Sequence, residues 1–417
     1  MQIDASANVQ LRARITSLED TRWESTPLLD LLPADAPPLT WLGFRRSMVG
    51  WGASAIWTGA GEYAIADAGR WWEALRRRAR IDQPPSAPTR LTAFGSFGFS
   101  ADAPSTLIVP EILVIDEGGS RWAVSTGIDR APDPLELLDG VERGRPRPCR
   151  NVRTEIGRMT QAEWTESVAE LVGRLVAGEA SKAVMTRDML LRADSAIDPR
   201  FLLARLDELY PSTWRFAVDG LIGASPEMLA SAAGGRLRSR VLAGTAPAGR
   251  GAELLKSSKN LREHEIAVES VTNALAPLVE SLREPGAPFI LDLPNVAHLA
   301  TDVDATLGGL TLLEAVAALH PTAAVCGTPR EAALALLEEL ERTERGRYSG
   351  PVGWVDAEGE GEFCIALRCG RLEDEGRALR VFAGAGIMPD SDPSEELVET
   401  RRKMRPLLDA LGVDPLS

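Results

Sequence analysis

Apolar residues recur along this chain with two different periods. In TQAEWTESVAELVGRLVAG, Trp164, Val168, Leu171, Val172, Leu175 and Val176 fall at helical intervals, and Thr160 followed by Glu163 forms a capping box at the start. An amphipathic helix is predicted there. The same period predicts helices over 260–283, 311–319, 330–344 and 393–411. In the first of these, Ile266, Val271, Leu275, Leu278 and Leu282 share a stripe; in the last, Asp392 caps, Pro393 fits the first turn, and Leu397, Met404, Leu408 and Leu411 face inward. After Gly178 the period changes, and SKAVMTRDMLLRA, rich in Val, Thr and Leu, reads as a strand carrying Lys182. RFAVDGLIGA and EMLASAAGGRLRSRVLAGTAP read as hairpins turning at Asp219-Gly220 and Gly234-Gly235, so Glu227 falls where one strand leads into the next. PFILDLPNVAHLATDVDATL and GEFCIALRCGRLEDEGRALRVFAGAGI add strands. Upstream, LTAFGSFGF and TLIVPEILVI read as short strands, with a helical piece near RWWEALRRRAR. Residues 82–90 and 131–150, rich in Pro, Gly and charge, are the strongest breaks. Hairpins with segregated helices predict an α+β protein rather than a doubly wound parallel sheet.

Composition narrows the class. The 417 residues, 44% of them hydrophobic, can fill a large core. A net charge of −14 argues against nucleic acid as a partner, because phosphate binding needs a basic face, and it suits a carboxylate-bound Mg²⁺. Apolar runs fall short of the ~20 residues of a membrane span, and the N-terminus lacks a signal-type hydrophobic segment, so a cytoplasmic protein with no membrane partner is expected. The four cysteines match no zinc pattern and read as reduced packing residues; His264, His298 and His320 show no metal-ligand spacing. No phosphate-binding glycine motif follows a strand, and no solenoid repeat is present. With no coiled coil or exposed apolar stripe, a monomer is expected.

Four places set charge where charge is costly, and each has a plainer reading. Lys182, on the same strand face as Val184 and Thr186, would become a general base near neutral pH if desolvated; the alternative is an edge lysine in water. Glu227, among apolar neighbours, is a candidate general acid or else a solvated turn carboxylate. Glu263 lies at the margin of its helix stripe, and Glu396, Glu399 and Lys403 share a face of theirs. Two such helices can meet around Mg²⁺, or each can present a solvated face. Gly384 and Gly386, after a strand and before a capped helix, allow backbone N–H groups to approach an anion or serve an ordinary turn. Arg368, in a strand of buried character, calls for a carboxylate partner from the protein or a ligand.

From about 150 to 412, the order and wording of these stretches resemble the chorismate-utilising enzymes. The matching stretches are SKAVMTR, GASPEML, VLAGTAP, REHEIAV, VAHLATDV, LHPTAAVCGTP, YSGPVGWVDAEGEGEFCIALRCG and AGAGIMPDSDPSEELVETRRKM. The resemblance implies one large α+β domain over 1–417, of the anthranilate synthase component I-like fold, with antiparallel sheets flanked by helices around a deep active-site cleft. Residues 1–150 are its less diagnostic N-terminal portion and 151–412 the catalytic core. By motif position Lys182 would be the general base that activates water and Glu227 the general acid that protonates the departing hydroxyl. Glu263, Glu399 and Glu396 would hold Mg²⁺ against the ring carboxylate of chorismate. Gly244, Thr245, His298, Ala324, Tyr348, Arg368, Gly384, Gly386 and Lys403 match substrate-binding positions.

The resemblance also divides the family by nucleophile. Ammonia-using anthranilate and aminodeoxychorismate synthases read more like PAGTLTGAP where this chain has HPTAAVCGTP, and no glutaminase is fused here, so water is the expected nucleophile and no glutaminase partner is expected. Salicylate synthases carry Thr at the position of Ala324, whereas at the position of Tyr348 some isochorismate synthases carry Phe and salicylate synthases carry Tyr, which keeps the lyase alternative open. The expectation is therefore an isochorismate synthase that adds water at C2 of chorismate with loss of the C4 hydroxyl. The product would feed menaquinone or siderophore biosynthesis. Salicylate synthase is the alternative. A non-catalytic paralogue would be expected to lack Lys182, Glu227 or a metal carboxylate.

Overall fold

The helix announced by the capping box runs Gln161–Val176 in the computed structural model of the protein, which describes residues 10–84, 87 and 91–413. Thr160 Oγ1 accepts from the Glu163 N–H, and the Glu163 carboxylate accepts from the Thr160 N–H at 2.8 Å. Trp164, Val168, Leu171 and Leu175 are buried, while Val176, the last helical residue, is 67% exposed and leaves the predicted stripe. Helices Leu312–Leu319 and Pro393–Leu411 keep their predicted spans, the second with Asp392 accepting from the N–H groups of Ser394 and Glu395.

Proline corrects two other expectations. The helix predicted over 260–283 is Ser258–Leu275: Pro277 has no N–H for the next helical bond, so Leu278 turns outward and Ser281–Leu282 pairs instead with Val296–Thr306. TLIVPEILVI is two strands, Ser105–Val109 and Ile112–Glu117, which the chain places in different sheets across Pro110-Glu111. The helix over 330–344 stops at Leu340, where Glu341 turns back to bond the sheet. The helical piece near 70–80 is the end of Ala64–Arg78, followed by the strand Arg80–Asp82. Within the 131–150 break Pro134–Asp139 forms a short helix, and most of 82–90 lies at the edge of or outside the described residues.

Two sheets organise these elements. The larger has thirteen strands, and at one end its order is Arg153–Ile156, Lys182–Arg192, Ala378–Ile387, Cys369–Glu373, Leu221–Ser225 and Trp214–Val218. The smaller has ten, with Val296–Thr306, Arg236–Pro247, Met228–Ala233, Gly361–Ile365 and Pro351–Asp356 as consecutive neighbours. Pairings among the described strands are antiparallel except Leu11–Ser17 with Arg80–Asp82. Both sheets draw strands from both halves of the chain: Leu39–Leu42 pairs with Trp214–Val218 in one, and Thr92–Ser96 with Pro351–Asp356 in the other. The result is one α+β domain. Helices Pro199–Leu209 and Pro393–Leu411 pack Leu202, Leu206, Met404 and Leu408 against Ile222, Leu379 and Val381 of the larger sheet. A second core joins both sheets through Trp41, Phe216, Phe94 and Phe363.

The two hairpins found in the sequence belong to different sheets. Leu221–Ser225 ends the first and Met228–Ala233 begins the second, so Pro226 and Glu227 form the crossing between sheets. The chain crosses back in the same place between Ile365 and Cys369, through Arg368. The crossings are laced together: the Ile365 N–H donates to the Glu227 carbonyl at 3.0 Å, and Ser225 Oγ donates to the Ile365 carbonyl at 2.6 Å.

Candidate active site

Lys182 opens a strand that has neighbours on both edges, Ala378–Ile387 on one and Gly327–Thr328 and Arg153–Ile156 on the other. It is therefore an interior lysine, 1% exposed, and the edge-lysine alternative falls. Its Nζ lies 3.0 Å from Glu263 Oε1, which the helix Ser258–Leu275 supplies. Burial pushes the Glu263 carboxyl upward, but Lys182, with Lys403 and Lys259 behind it, outweighs burial and holds it below its ordinary value. Glu263 is thus a carboxylate facing the Lys182 side chain. Gly386 stands opposite Val184 on the neighbouring strand, and a Cβ there would lie 2.5 Å from Glu263 Oε1 and 3.0 Å from Lys182 Cε. Only a glycine leaves room for the ion pair. This steric need is what the structure gives for Gly386, in place of the ordinary-turn reading.

Glu227 is 4% exposed at its crossing, so the solvated-turn alternative falls as well. Burial pushes its carboxyl up to about 7, opposed by a long 3.4 Å bond from the Leu242 N–H and by the charges of Arg368, Lys182 and Lys403. Such a group exchanges a proton near neutrality. Arg368, at the other crossing, is held in the left-handed backbone region (φ 49°), a conformation costing about 1–2 kcal/mol for a residue with a side chain. Its Nη2 donates to His298 Nε2 at 2.9 Å. Because arginine only donates, Nε2 must be the acceptor, and the imidazole proton sits on Nδ1, shared by the Gly244 carbonyl at 3.3 Å and Thr245 Oγ1 at 3.2 Å. Burial, reinforced by Arg368, keeps His298 neutral by pulling it well below its ordinary value. Gly244 adopts φ 79° where the pairing of Arg236–Pro247 with Val296–Thr306 slips by one residue, which sets Thr245 opposite His298. Among the described residues no carboxylate is within ion-pair distance of Arg368, so its charge is available to a ligand.

Tyr348 stacks on Phe382 with centroids 5.1 Å apart, and burial pushes its phenol up to about 12. Lys403 donates to the Gly384 carbonyl at 3.0 Å and pairs with Glu399 at 2.6 Å. Glu396 accepts from Ser391 Oγ at 2.7 Å and faces Lys259 Nζ at 3.5 Å. Burial and then the negative charge of Glu399 push Glu396 up to about 7, against Ser391 and Lys259, with Glu263 adding to the push. Among the described residues no three His, Cys, Asp or Glu side chains converge into a ready-made ion cage. The donors nevertheless suit a hard dication: carboxylates from two helices, mutually repelling, along one open cavity.

The structure gathers most of the sequence candidates around one space. Glu227, Gly244, Thr245, Glu263, His298, Ala324, Tyr348, Arg368, Gly384, Gly386 and Lys403 line an inner cavity of about 50 Å³. Thr245, Glu263 and Gly386 also border an outer cavity of about 570 Å³, together with Lys259, Glu396 and Glu399. Lys182 lines neither; its Nζ meets Glu263, which lines both. The sequence reading missed Lys259, one turn before Glu263 on the same helix, where an i, i+4 relation would have marked it. It also missed Leu242, Val325 and Leu367, apolar walls that carry no pattern distinguishing them from core, and it set Val184 only on the strand face of Lys182.

Known proteins provide three comparisons. The sequence model of a family described as chorismate binding enzyme matches residues 44–412. Isochorismate synthase DhbC of Bacillus subtilis is 32% identical over 382 residues, 83% of this chain and 86% of its own length. Isochorismate synthase EntC of Escherichia coli is 34% identical over 333 residues, covering 76% and 81%. Among solved structures, MenF, the menaquinone-specific isochorismate synthase from Escherichia coli, matches with a TM-score of 0.80 over 96% of this chain and 94% of that one; at 24% identity the likeness is one of fold.

Proposed function

The chain belongs to the chorismate binding enzyme family, and from that premise we propose that it is an isochorismate synthase: it adds water at C2 of chorismate and expels the C4 hydroxyl. The observation that carries this reading is a buried carboxyl pushed up to about 7, Glu227, lining the same small cavity as Glu263, which meets Lys182. The reaction needs both partners, a base to take a proton from the entering water and an acid to give one to the departing oxygen. Lys182 takes the first proton, and Glu227 supplies the second. Arg368, steadied by neutral His298 and without an ion-pair carboxylate among the described residues, receives one carboxylate of the dianionic substrate. The inner cavity is too small for a ring ligand, since such sites span about 300–1,000 Å³, so the substrate extends into the outer one. Glu263, Glu396 and Glu399 would hold Mg²⁺, which when bound supplies positive charge to the ring carboxylate.

Product analysis tests the proposal. Purified protein with chorismate and Mg²⁺ is expected to yield isochorismate, and chelation by EDTA is expected to stop turnover until Mg²⁺ is restored. Salicylate and pyruvate as main products would overturn the isomerase reading in favour of a synthase that goes on to eliminate pyruvate. A second expectation concerns sterics. Gly386→Ala must displace the Lys182–Glu263 pair and is expected to cut kcat about tenfold or more and to lower the melting temperature as well. Gly384→Ala, whose Cβ would meet Val184 Cγ1 at 3.2 Å, is expected to be milder. Steady-state kinetics on both variants checks the order.

A further inference from the structure

We propose that the buried Arg345–Glu341 pair is a positioning unit for this site, fixing the strand that begins at Lys182 against the segment that carries Ala324. The proposal rests on the acid–base reading above and names residues that touch neither substrate nor metal. Arg345 and Glu341 are 3% and 5% exposed at their side chains, and they form a two-pronged pair, Nε to Oε1 at 2.6 Å and Nη2 to Oε2 at 2.7 Å. The pair does not close on itself. Arg345 Nη2 also donates to the Val184 carbonyl at 2.6 Å, and Nη1 donates to the Val325 carbonyl at 2.8 Å. Glu341 Oε2 accepts from the Thr186 N–H at 2.7 Å. The guanidinium lies over the ring of Phe99, 4.0 Å from its centroid.

The position of these bonds gives them their meaning. The strand beginning at Lys182 pairs with Gly327–Thr328 only through Lys182 and Ala183, with one further bond from the Val184 N–H to the Cys326 carbonyl. Beyond that point the two segments separate, and the carbonyls of Val184 and Val325 face burial without ladder partners. Arg345 satisfies both at once, and Val184 and Val325 are themselves walls of the inner cavity, the second adjoining Ala324. A fork of rigid donors ties the base-bearing strand to the wall beside the substrate ring. Lysine cannot reproduce it, since a point charge on a flexible stem does not hold two carbonyls and a carboxylate in one plane.

Two variants test the role. Arg345→Lys is expected to lower kcat about tenfold to a hundredfold with KM changed less than about threefold, because the groups are misplaced rather than removed. Glu341→Gln keeps an acceptor for the Thr186 N–H and is expected to fall between wild type and Arg345→Lys. Amide hydrogen exchange is expected to rise together at 184–186 and 322–326 in both variants, with no substrate present. A lowered melting temperature with unchanged kcat and unchanged local exchange would mean that the pair only stabilises the fold, and would overturn the proposal. If Arg345→Lys does not fold, the same two readouts on Glu341→Gln decide. Failure of the wild-type protein to make isochorismate would refute the proposed function alone, since exchange reports on the tether without turnover.

Discussion

Replacing Glu227 by glutamine is expected to lower kcat by about 10²–10⁴-fold while leaving KM close to wild type. The amide copies the shape of the protonated carboxyl, so the substrate still binds, but it has no proton to give. In the wild type, kcat/KM is expected to fall as pH rises through about 7, because the acid must be protonated to work and its carboxyl sits at about that value in the free protein. That limb should be missing from the residual activity of Glu227→Gln. Stability moves the same way as activity. The folded protein holds the Glu227 proton more tightly than the unfolded chain, so the native state binds more protons. The associated stability is fully present below the ordinary carboxyl value and is lost as pH rises through about 7. Converted at 1.36 kcal/mol per unit, a rise from 4.5 to about 7 corresponds to about 3 kcal/mol by pH 8. Glu227→Gln should therefore melt higher than wild type at pH 8, with the gap closing toward pH 5. Thermal melts at the two pH values and a pH–rate profile check both halves, and a limb retained in the variant would place the acid elsewhere.

Glu227 also marks how far a sequence carries an argument. The stretch LIGASPEMLA reads as a turn between strands because hairpin signals are local. That its two flanking strands lie in different sheets is decided by their pairing with Cys369–Glu373 and Gly361–Ile365, more than a hundred residues later. Lys182 shows the same limit. By composition it reads as an edge lysine; the Ala378–Ile387 strand makes it interior. Capping residues Thr160 and Asp392 mark their helices accurately because the bonds they accept are made within three residues. Pro277 and Pro110 were equally local, and the periodicity of Leu278 and Leu282 was the weaker guide, because a missing N–H ends a helix whatever apolar residues follow. Lys182, Glu227, Glu263 and Glu399 were joined by motif resemblance and by no feature of spacing. Arg345 lay outside the matching stretches, and its i, i+4 spacing from Glu341 does not show that it works on backbone carbonyls, which every residue possesses.

Lys182→Met is expected to be more damaging than any change at Glu227, because it combines two losses. It removes the proposed base, lowering kcat by about 10³–10⁴-fold, the upper part of the range for a positioned acid or base. It also leaves Glu263 without the cation 3.0 Å from its oxygen, in a site where burial alone would push that carboxyl up. Removing one partner of a buried pair costs about 3–5 kcal/mol. In the wild type the Glu263 contribution is present above the ordinary carboxyl value and lost as pH falls through its lowered folded value, so it is in place at neutral pH. A double variant separates the two losses. Lys182→Met with Glu263→Gln removes both charges, and its melting temperature at pH 8 is expected to recover most of what Lys182→Met loses. Turnover is not expected to recover with it, since no base has been restored. Recovery of stability and activity together would make Lys182 a counterion for Glu263 and no more. Stability without activity, with the double variant slower than Glu263→Gln alone, would assign the additional loss of turnover to the proton that Lys182 takes.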